Sequence, residues 1–430
     1  MAETIRPQNY YNAAQAVLDV AAAVSTLHSD TMTALADTGS MAGTDDVGQE
    51  FSSAYDEQAA NFESMGRNLG TAIHIYGRVL IQMGKNHAQA EADSNVNGNG
   101  EIVAPVDPGD APFNTCFALP PSAGGEGDGL SEVIGLLQHI GVPIPNGDTD
   151  KLTTASTAWA RVASDNDGTY RGRLLSASST LDELNSEEVD IVVEDLEELN
   201  SLVDEYADLA GALRDSAEAH KSYLADVRAQ IGDLLDELAI ELAVTAAVGI
   251  LSSFVSFGVG GAVAGAKATS TIARFGSKIT GVITAVKGMR AATKISSFFR
   301  SSSLAKSNAR IVRYLQMELK QASTQGQKNN LAGRIGELKA GIDPNTVKRS
   351  VQINGRTRIP DEIDDINDVV REVKNTNTIG ATQQIKDVAT YAKANGYTME
   401  LIVDSRTVIS GPLQTMIDNG EIVLKRMALN

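Results

Sequence analysis

The sequence predicts a multidomain chain: long α-helical hairpins, mostly α, over the N-terminal part, followed by a small α/β domain. Three observations predict it. Before residue 241, apolar residues recur at steps of three and four over very long stretches. After about Asn330 the period shortens to alternating runs punctuated by Gly and Pro. The charge also divides: residues 1–266 carry 11 Lys+Arg against 41 Asp+Glu, and residues 267–430 carry 25 against 14. A body of −30 thus precedes a tail of +11 within a total of −19. A basic tail on an acidic body suits a polyanion or an acidic protein as partner.

The 430 residues allow two to four compact domains with sizeable cores. Five segments are read: a helical hairpin over 1–93, a Gly/Pro-rich linker over 94–150, a second hairpin over 151–241, an apolar then basic stretch over 242–300, and the α/β unit over 301–430. Cys116 is the single cysteine, so an intrachain disulfide is excluded and a zinc cluster is not expected. The N-terminus, MAETIRPQNYY, shows no apolar h-region of a secretory signal, which leaves routes that read folded helices.

Tyr10 to about Ala36 is Ala-rich at helical spacing, and a turn, DTGSMAGTDD, follows at Asp37–Asp46. Asp45 or Asp46 with Gly48 suits the start of the next helix. That helix carries a seam of Phe51, Tyr55, Phe62, Met65, Leu69, Ala72, Tyr76, Val79 and Met83. The linker reading over 94–125 rests on SNVNGNG, PVDPGDAP and PPSAGGEGDG, with a short helix expected at Leu130–Ile140. From Val189 to Leu238 apolar residues alternate steps of three and four without a break, a heptad seam about seven repeats long. Asn185 and Glu188 resemble a capping box at its start, and His220 on the seam is read as a core histidine.

Residues 242–266 hold no charge, and residues 267–300 hold no acid. The length suffices for a membrane span, but Gly258, Gly260 and Gly261 weaken a straight helix. Two readings stand: a buried helix pair, or an element that contacts or enters a membrane.

In the tail, Leu331–Gly341 reads as a helix, Thr357–Ile359 as a strand ending at Pro360-Asp361, and Val369–Val373 as a strand. Thr382–Asn395 reads as a helix closed by Gly396, Thr398–Val403 as a strand, Pro412–Asn419 as a helix, and Glu421–Met427 as a strand. Glu372 and Lys374 stand two apart on one strand, so both project from one face. Asp361 at the end of the preceding strand can bring a second carboxylate beside Glu372. Two carboxylates and a main-chain carbonyl, for which Val373 would serve, form a hard oxygen site suited to Mg²⁺ (or Mn²⁺). Lys374 would orient a water or balance charge growing on a phosphate. Asp364, Asp365 and Asp368 are rivals for Asp361. Lys386, Lys393, Arg356, Arg358 and Arg406 are candidates for phosphate contacts.

Two resemblances follow from these residues. MAGTDDVGQEFSSAYDEQA, Met41–Ala59, resembles the WXG-type helical hairpins exported by type VII (ESX) secretion, with Met41-Ala42-Gly43 where that family has Trp-x-Gly. AGRIGE with Glu337, RIPD with Asp361, REVKN with Glu372 and Lys374, TQQIKDVATYA with Gln384, and RTVISGPL…NGEIVL together resemble the PD-(D/E)xK restriction-endonuclease-like nuclease domains of bacterial polymorphic toxins. That resemblance implies Asp361 and Glu372 as metal ligands, Lys374 as catalytic lysine, Glu337 as a further acid of the cluster, and Gln384, with Gln383 as rival, at the site or the nucleic-acid backbone.

Together they imply a secreted antibacterial toxin that hydrolyses phosphodiesters in the cytoplasm of a target bacterial cell. DNA is favoured over RNA as its substrate. Its implied partners are a cognate immunity protein and the type VII machinery or small helical chaperones. A toxin inserting into membranes through residues 242–300, and a helical interaction protein with an inactive tail, are the rival readings.

Overall fold

A computed structural model describes residues 6–94, 103–109, 117–125, 145–165, 170–181, 187–241, 274–285, 302–322, 324–343, 346, 348–365 and 367–429. The short helix expected at 130–140, the Asn185 cap and most of 242–300 lie outside these residues; of that last segment, residues 274–285 are helical.

α1 (Pro7–Leu35) begins with Pro at its first turn, where the missing N–H costs nothing. α2 (Asp46–Ser94) runs back along it. The Asp45 Oδ1 accepts from the Val47 and Gly48 N–H groups at 2.9 and 3.1 Å, capping α2. The helices approach closely because α2 offers glycines to α1. A methyl group at Gly66 would sit 2.3 Å from the His28 Nδ1, and one at Gly84 would sit 2.4 Å from the Tyr11 ring. Gly66→Ala is therefore expected to destabilise by about 1–3 kcal/mol, the usual cost of overpacking, despite Ala's better helix propensity. A lower urea midpoint at unchanged slope checks it.

The Met41-Ala42-Gly43 turn is buried. Gly43 adopts φ +98°, open to glycine but strained for other residues. Backbone bonds tie the turn to two distant segments: Gly43 and Gly124 exchange both N–H groups, and the Asp148 N–H donates to the Met41 carbonyl at 2.8 Å. His220, on the far helix, brings Nε2 to 2.7 Å from the Ala42 carbonyl and stacks on Phe51. Residues 117–125, read as tether, thus run hydrogen-bonded against the first hairpin.

α3 (Thr149–Ser164) and the short α4 (Arg173–Ser178) pack with α5 (Glu187–Glu241). Trp159 on α3 is fully buried against Phe62 and donates to the Tyr55 hydroxyl at 2.8 Å. The heptad seam of α5 is buried along its length, except that Leu235 rather than Leu234 takes the buried position near the end. α6 (Ser302–Gln321) lies within the predicted 301–430 unit yet packs in the helical body. Tyr314 meets Tyr76 at 4.6 Å, and Arg313 pairs with Asp195 of α5 at 2.9 Å.

α7 (Gln325–Lys339) starts six residues before the predicted helix, because Thr324 and Gln327 form a capping box. β1 (Val351–Ile353) and β2 (Arg356–Arg358) form a hairpin around Asn354-Gly355, both at positive φ. The main sheet holds β3 (Glu362–Asp364), β4 (Val369–Lys374), β6 (Thr398–Asp404) and β8 (Val423–Met427) in that order. β3 is antiparallel to β4, and the other neighbours are parallel. α8 (Gln383–Asn395) and α9 (Gly411–Asp418) make the two crossovers. A small parallel pair, β5 (Thr378–Ile379) and β7 (Val408–Ile409), braces the strand ends. Val370, Leu401 and Val403 bury one sheet face with Ile385, Val388 and Leu413; Val373 and Ile402 bury the other with Ile342 and Leu429. Within β6, Leu401, Ile402 and Val403 form an unbroken apolar run because both faces of the strand are covered there.

Candidate active site

Even-numbered residues of β4 face α8. Val370 enters the core there, and Glu372 and Lys374 continue the same face toward the strand's C-terminal end. Glu372 is fully buried. Its Oε1 accepts from Lys374 Nζ at 2.5 Å and from Gln384 Nε2 at 2.6 Å, while its Oε2 is buried with no hydrogen-bond partner. Burial raises the Glu372 pKa; Lys374 opposes this, and the nearby Asp361 charge adds to it.

Asp361 does not end β2, as the sequence suggests. It immediately precedes β3, which pairs with β4 through Glu362 opposite Arg371. One further step of that register sets Asp361 opposite Glu372. Its Oδ2 accepts from the Val373 N–H at 2.8 Å, and its Oδ1 accepts from Lys348 Nζ at 2.8 Å. The same ammonium reaches Glu337 Oε1 on α7 at 2.8 Å. Burial raises the Glu337 pKa, with Lys348 opposing and Asp361 adding. Burial works against the charged form of Lys348, but its bonds to Asp361 and Glu337 outweigh this and raise its pKa.

The five predicted site residues, Glu337, Asp361, Glu372, Lys374 and Gln384, are thus brought to one place by α7, the β2–β3 junction, β4 and α8. The rivals go elsewhere. Gln383 donates to Asp387, a partner it shares with Arg356 and Arg358. Asp364 holds Asn367, and Asp365 pairs with Arg349 and Tyr397. Asp368 lends its carbonyl to the Thr398 N–H. Among the candidate phosphate contacts, Arg406 bonds Asp404, which also accepts from the Leu429 N–H and is held at a pKa of about 2, chiefly by Arg406. Thr407 donates to the Thr376 carbonyl and Ser410 to that of Ile379, so this stretch fastens β5 to β7. Lys348 is the residue that sequence reasoning missed.

Among the described residues, no three His, Cys, Asp or Glu side chains form a ready cage for a metal ion. The donor set nevertheless fits a hard divalent cation. It offers carboxylate oxygens on adjacent strand positions, one of them, Glu372 Oε2, desolvated and unpartnered, which is costly unless something positive meets it.

Residues 333–413 match the family described as restriction endonuclease fold toxin 7. The match encloses all five site residues and Lys348. The C-terminal unit is a nuclease-fold toxin domain, a small strand-containing domain with a restriction-endonuclease-like fold behind long helices. Among curated proteins, the chain is 32% identical over 159 residues to the outer membrane channel protein CpnT of Mycobacterium tuberculosis and of Mycobacterium bovis BCG, covering 36% of this chain and 18% of theirs. It is 34% identical over 128 residues to the "putative NAD(+)–arginine ADP-ribosyltransferase Mav" of Mycobacterium avium, covering 30% of this chain and 15% of that one. The chain thus spans less than a fifth of the length of these relatives. Both matches are longer than everything from residue 333 onward, so both reach into the helical part. No solved structure matches the chain.

Proposed function

We propose that this chain is a secreted antibacterial toxin whose C-terminal domain hydrolyses nucleic-acid phosphodiesters with a divalent cation, DNA being favoured over RNA. One observation carries the reading: within a nuclease-fold toxin domain, Glu372 is buried opposite Asp361, with one oxygen held by Lys374 and Gln384 and the other enclosed without a hydrogen-bond partner.

Asp361 and Glu372 are the residues to hold Mg²⁺ or Mn²⁺. A bound cation supplies positive charge against the phosphoryl oxygens as negative charge builds there. Gln384 and Lys374 hold the Glu372 carboxylate by Oε1, which leaves Oε2 for the cation. Lys374 opposes the rise that burial imposes on the Glu372 pKa, and we place its ammonium beside the reacting phosphate, where it orients the attacking water or stabilises developing charge. Glu337 adds a carboxylate from the helix side, suited to tuning the cluster's charge or accepting a proton.

Matches that extend ahead of residue 333, to relatives with unlike names, a channel protein and an ADP-ribosyltransferase, support a modular chain in which helices are combined with different working parts. The first hairpin is the part we assign to type VII export, alone or with a small helical chaperone, and the target is the cytoplasm of another bacterium. The producing cell then needs an immunity protein, for which the basic tail suggests an acidic face.

The test uses full-length protein on supercoiled plasmid and on a structured RNA. Plasmid nicking with Mg²⁺, stopped by chelator, is the expected result. Cleavage of RNA alone would reassign the substrate, and cleavage of neither would overturn the nuclease reading. No described helix is long and apolar enough to cross a membrane. Liposome leakage by the Glu372→Gln protein tests the membrane-inserting reading of residues 242–300 directly.

A further inference from the structure

Asp361, one of the two residues assigned above to the cation, has neither oxygen idle: Oδ2 takes the Val373 N–H, and Oδ1 takes Lys348. The backbone bond is locked into the sheet junction. The lysine bond is not, because Lys348 sits on a short connecting segment with its side chain about a third exposed. A cation that reaches Asp361 Oδ1 therefore meets the Lys348 ammonium already bonded there, and the two positive charges repel one another.

We propose that Lys348 is a tethered counter-ion that occupies the carboxylate cluster in the metal-free protein and competes with the divalent cation for it. This rests on the metal-dependent reading of the site. The geometry is specific. The ammonium bridges Glu337 and Asp361 at 2.8 Å each, and these carboxylates come from separate elements that would otherwise repel one another. Lys374 is placed differently: its ammonium binds the Glu372 oxygen also held by Gln384, and leaves Oε2 untouched. The two lysines thus divide the work, Lys374 holding a ligand in place and Lys348 holding the cation's position. The consequence is a threshold: the cluster stays neutralised at low metal and loads only when the cation outcompetes an ammonium of high local concentration. Lys348 stays attached through its backbone and can return when the metal leaves.

The experiment measures Mn²⁺ binding to the full-length protein by electron paramagnetic resonance and calorimetry, without substrate. Lys348→Met is expected to tighten Mn²⁺ binding by about tenfold, equivalent to about 1.4 kcal/mol. It is also expected to lower the melting temperature of the metal-free protein and to enlarge the stabilisation that Mn²⁺ gives. Lys348→Arg, which keeps a cation there, should bind close to wild type. Lys328→Met, which removes an exposed charge from the first turn of α7, should change affinity less than about twofold, as expected for a distant screened charge. If wild type binds Mn²⁺ and Lys348→Met binds no tighter or more weakly, the counter-ion proposal fails while the metal site stands. If neither binds, and Glu372→Gln changes nothing, the metal reading and this proposal fail together. Circular dichroism of the metal-free variants reports folding, and the Lys348→Gln protein serves where Lys348→Met does not fold.

Discussion

Glu372→Gln is expected to abolish measurable phosphodiester cleavage, a loss of about 10²–10⁴-fold or more, while leaving the metal-free protein as stable as wild type or more stable. The opposite directions follow from burial. Glu372 is fully enclosed, and burial raises its pKa, so its ionised form is held at a cost that a neutral amide avoids. Glutamine can still accept from Lys374 and Gln384, so the local hydrogen bonds survive while the charge is lost. The pH dependence has a definite sign. In the metal-free protein the folded state holds the Glu372 proton more tightly than the unfolded chain does. This group's contribution therefore improves as pH falls through its raised folded pKa toward the ordinary glutamate value, and worsens above it. Cation binding needs the ionised form, so activity should fall on acidification earlier than for an ordinary glutamate. Lys374 opposes the rise, so Lys374→Met should move that limb to still higher pH as well as cutting turnover. Thermal melts with chelator across pH 5–8 and cleavage rates over the same range check both. A Glu372→Gln protein that cleaves at a tenth of the wild-type rate, or that melts far lower without metal, would contradict this account.

How much of this was legible beforehand depends on the range of the contact. Glu372 and Lys374 fall on one face of a strand by its period of two, so their pairing is local geometry. Gln384 against Gln383 is a question of helix face, where neighbours differ by about 100°; Gln384 meets Glu372 and Gln383 meets Asp387. Asp361 was reached through the wrong strand. Asn354-Gly355 is a strong hairpin signal that closes β1 on β2 and leaves Asp361 just ahead of β3. Lys348 left no pattern. It stands 11 residues from Glu337 and 13 from Asp361 in an irregular segment, and only the tertiary fold brings the three together. Likewise α6 falls within the 301–430 unit by position, yet it packs in the body. Its arginines answer acids of α5, Arg310 with Glu198 and Arg313 with Asp195, so its sign matched the body it packs against. The very long helices were legible throughout because a sustained seam repeats the same signal many times.

The packing of α7 makes the helical body part of the site's support, and Arg67→Ala is the substitution that exposes this. α7 turns Leu331, Ile335 and Leu338 into the body's core, at steps of four and three. Its other side lies against Val373 and Asn375 at the end of β4 and carries Glu337 to the cluster. The chain then buries Ile342 under the sheet and sets Asp343 beside Arg67 of α2 at 3.2 Å, before reaching Lys348. Arg67 is also paired with Glu63 at 2.7 Å, both side chains being 6% exposed. Removing the guanidinium leaves Glu63 buried with the Phe117 N–H as its remaining donor. The expected cost is about 3–5 kcal/mol, as for a broken buried pair. The double variant Arg67→Met with Glu63→Gln should recover most of it, since no uncompensated charge then remains. Asp343→Asn should cost under about 1 kcal/mol, because that carboxylate is only partly enclosed. It should still speed proteolytic cutting between residues 343 and 350 and loosen Lys348's hold on the carboxylates. Urea unfolding of the three proteins, with cleavage sites read by mass spectrometry, separates these effects. Equal losses for Arg67→Ala and Asp343→Asn would place the energy in the contact between body and nuclease domain rather than inside the body. The helical part would then be acting as a clamp on the site and not only as its platform.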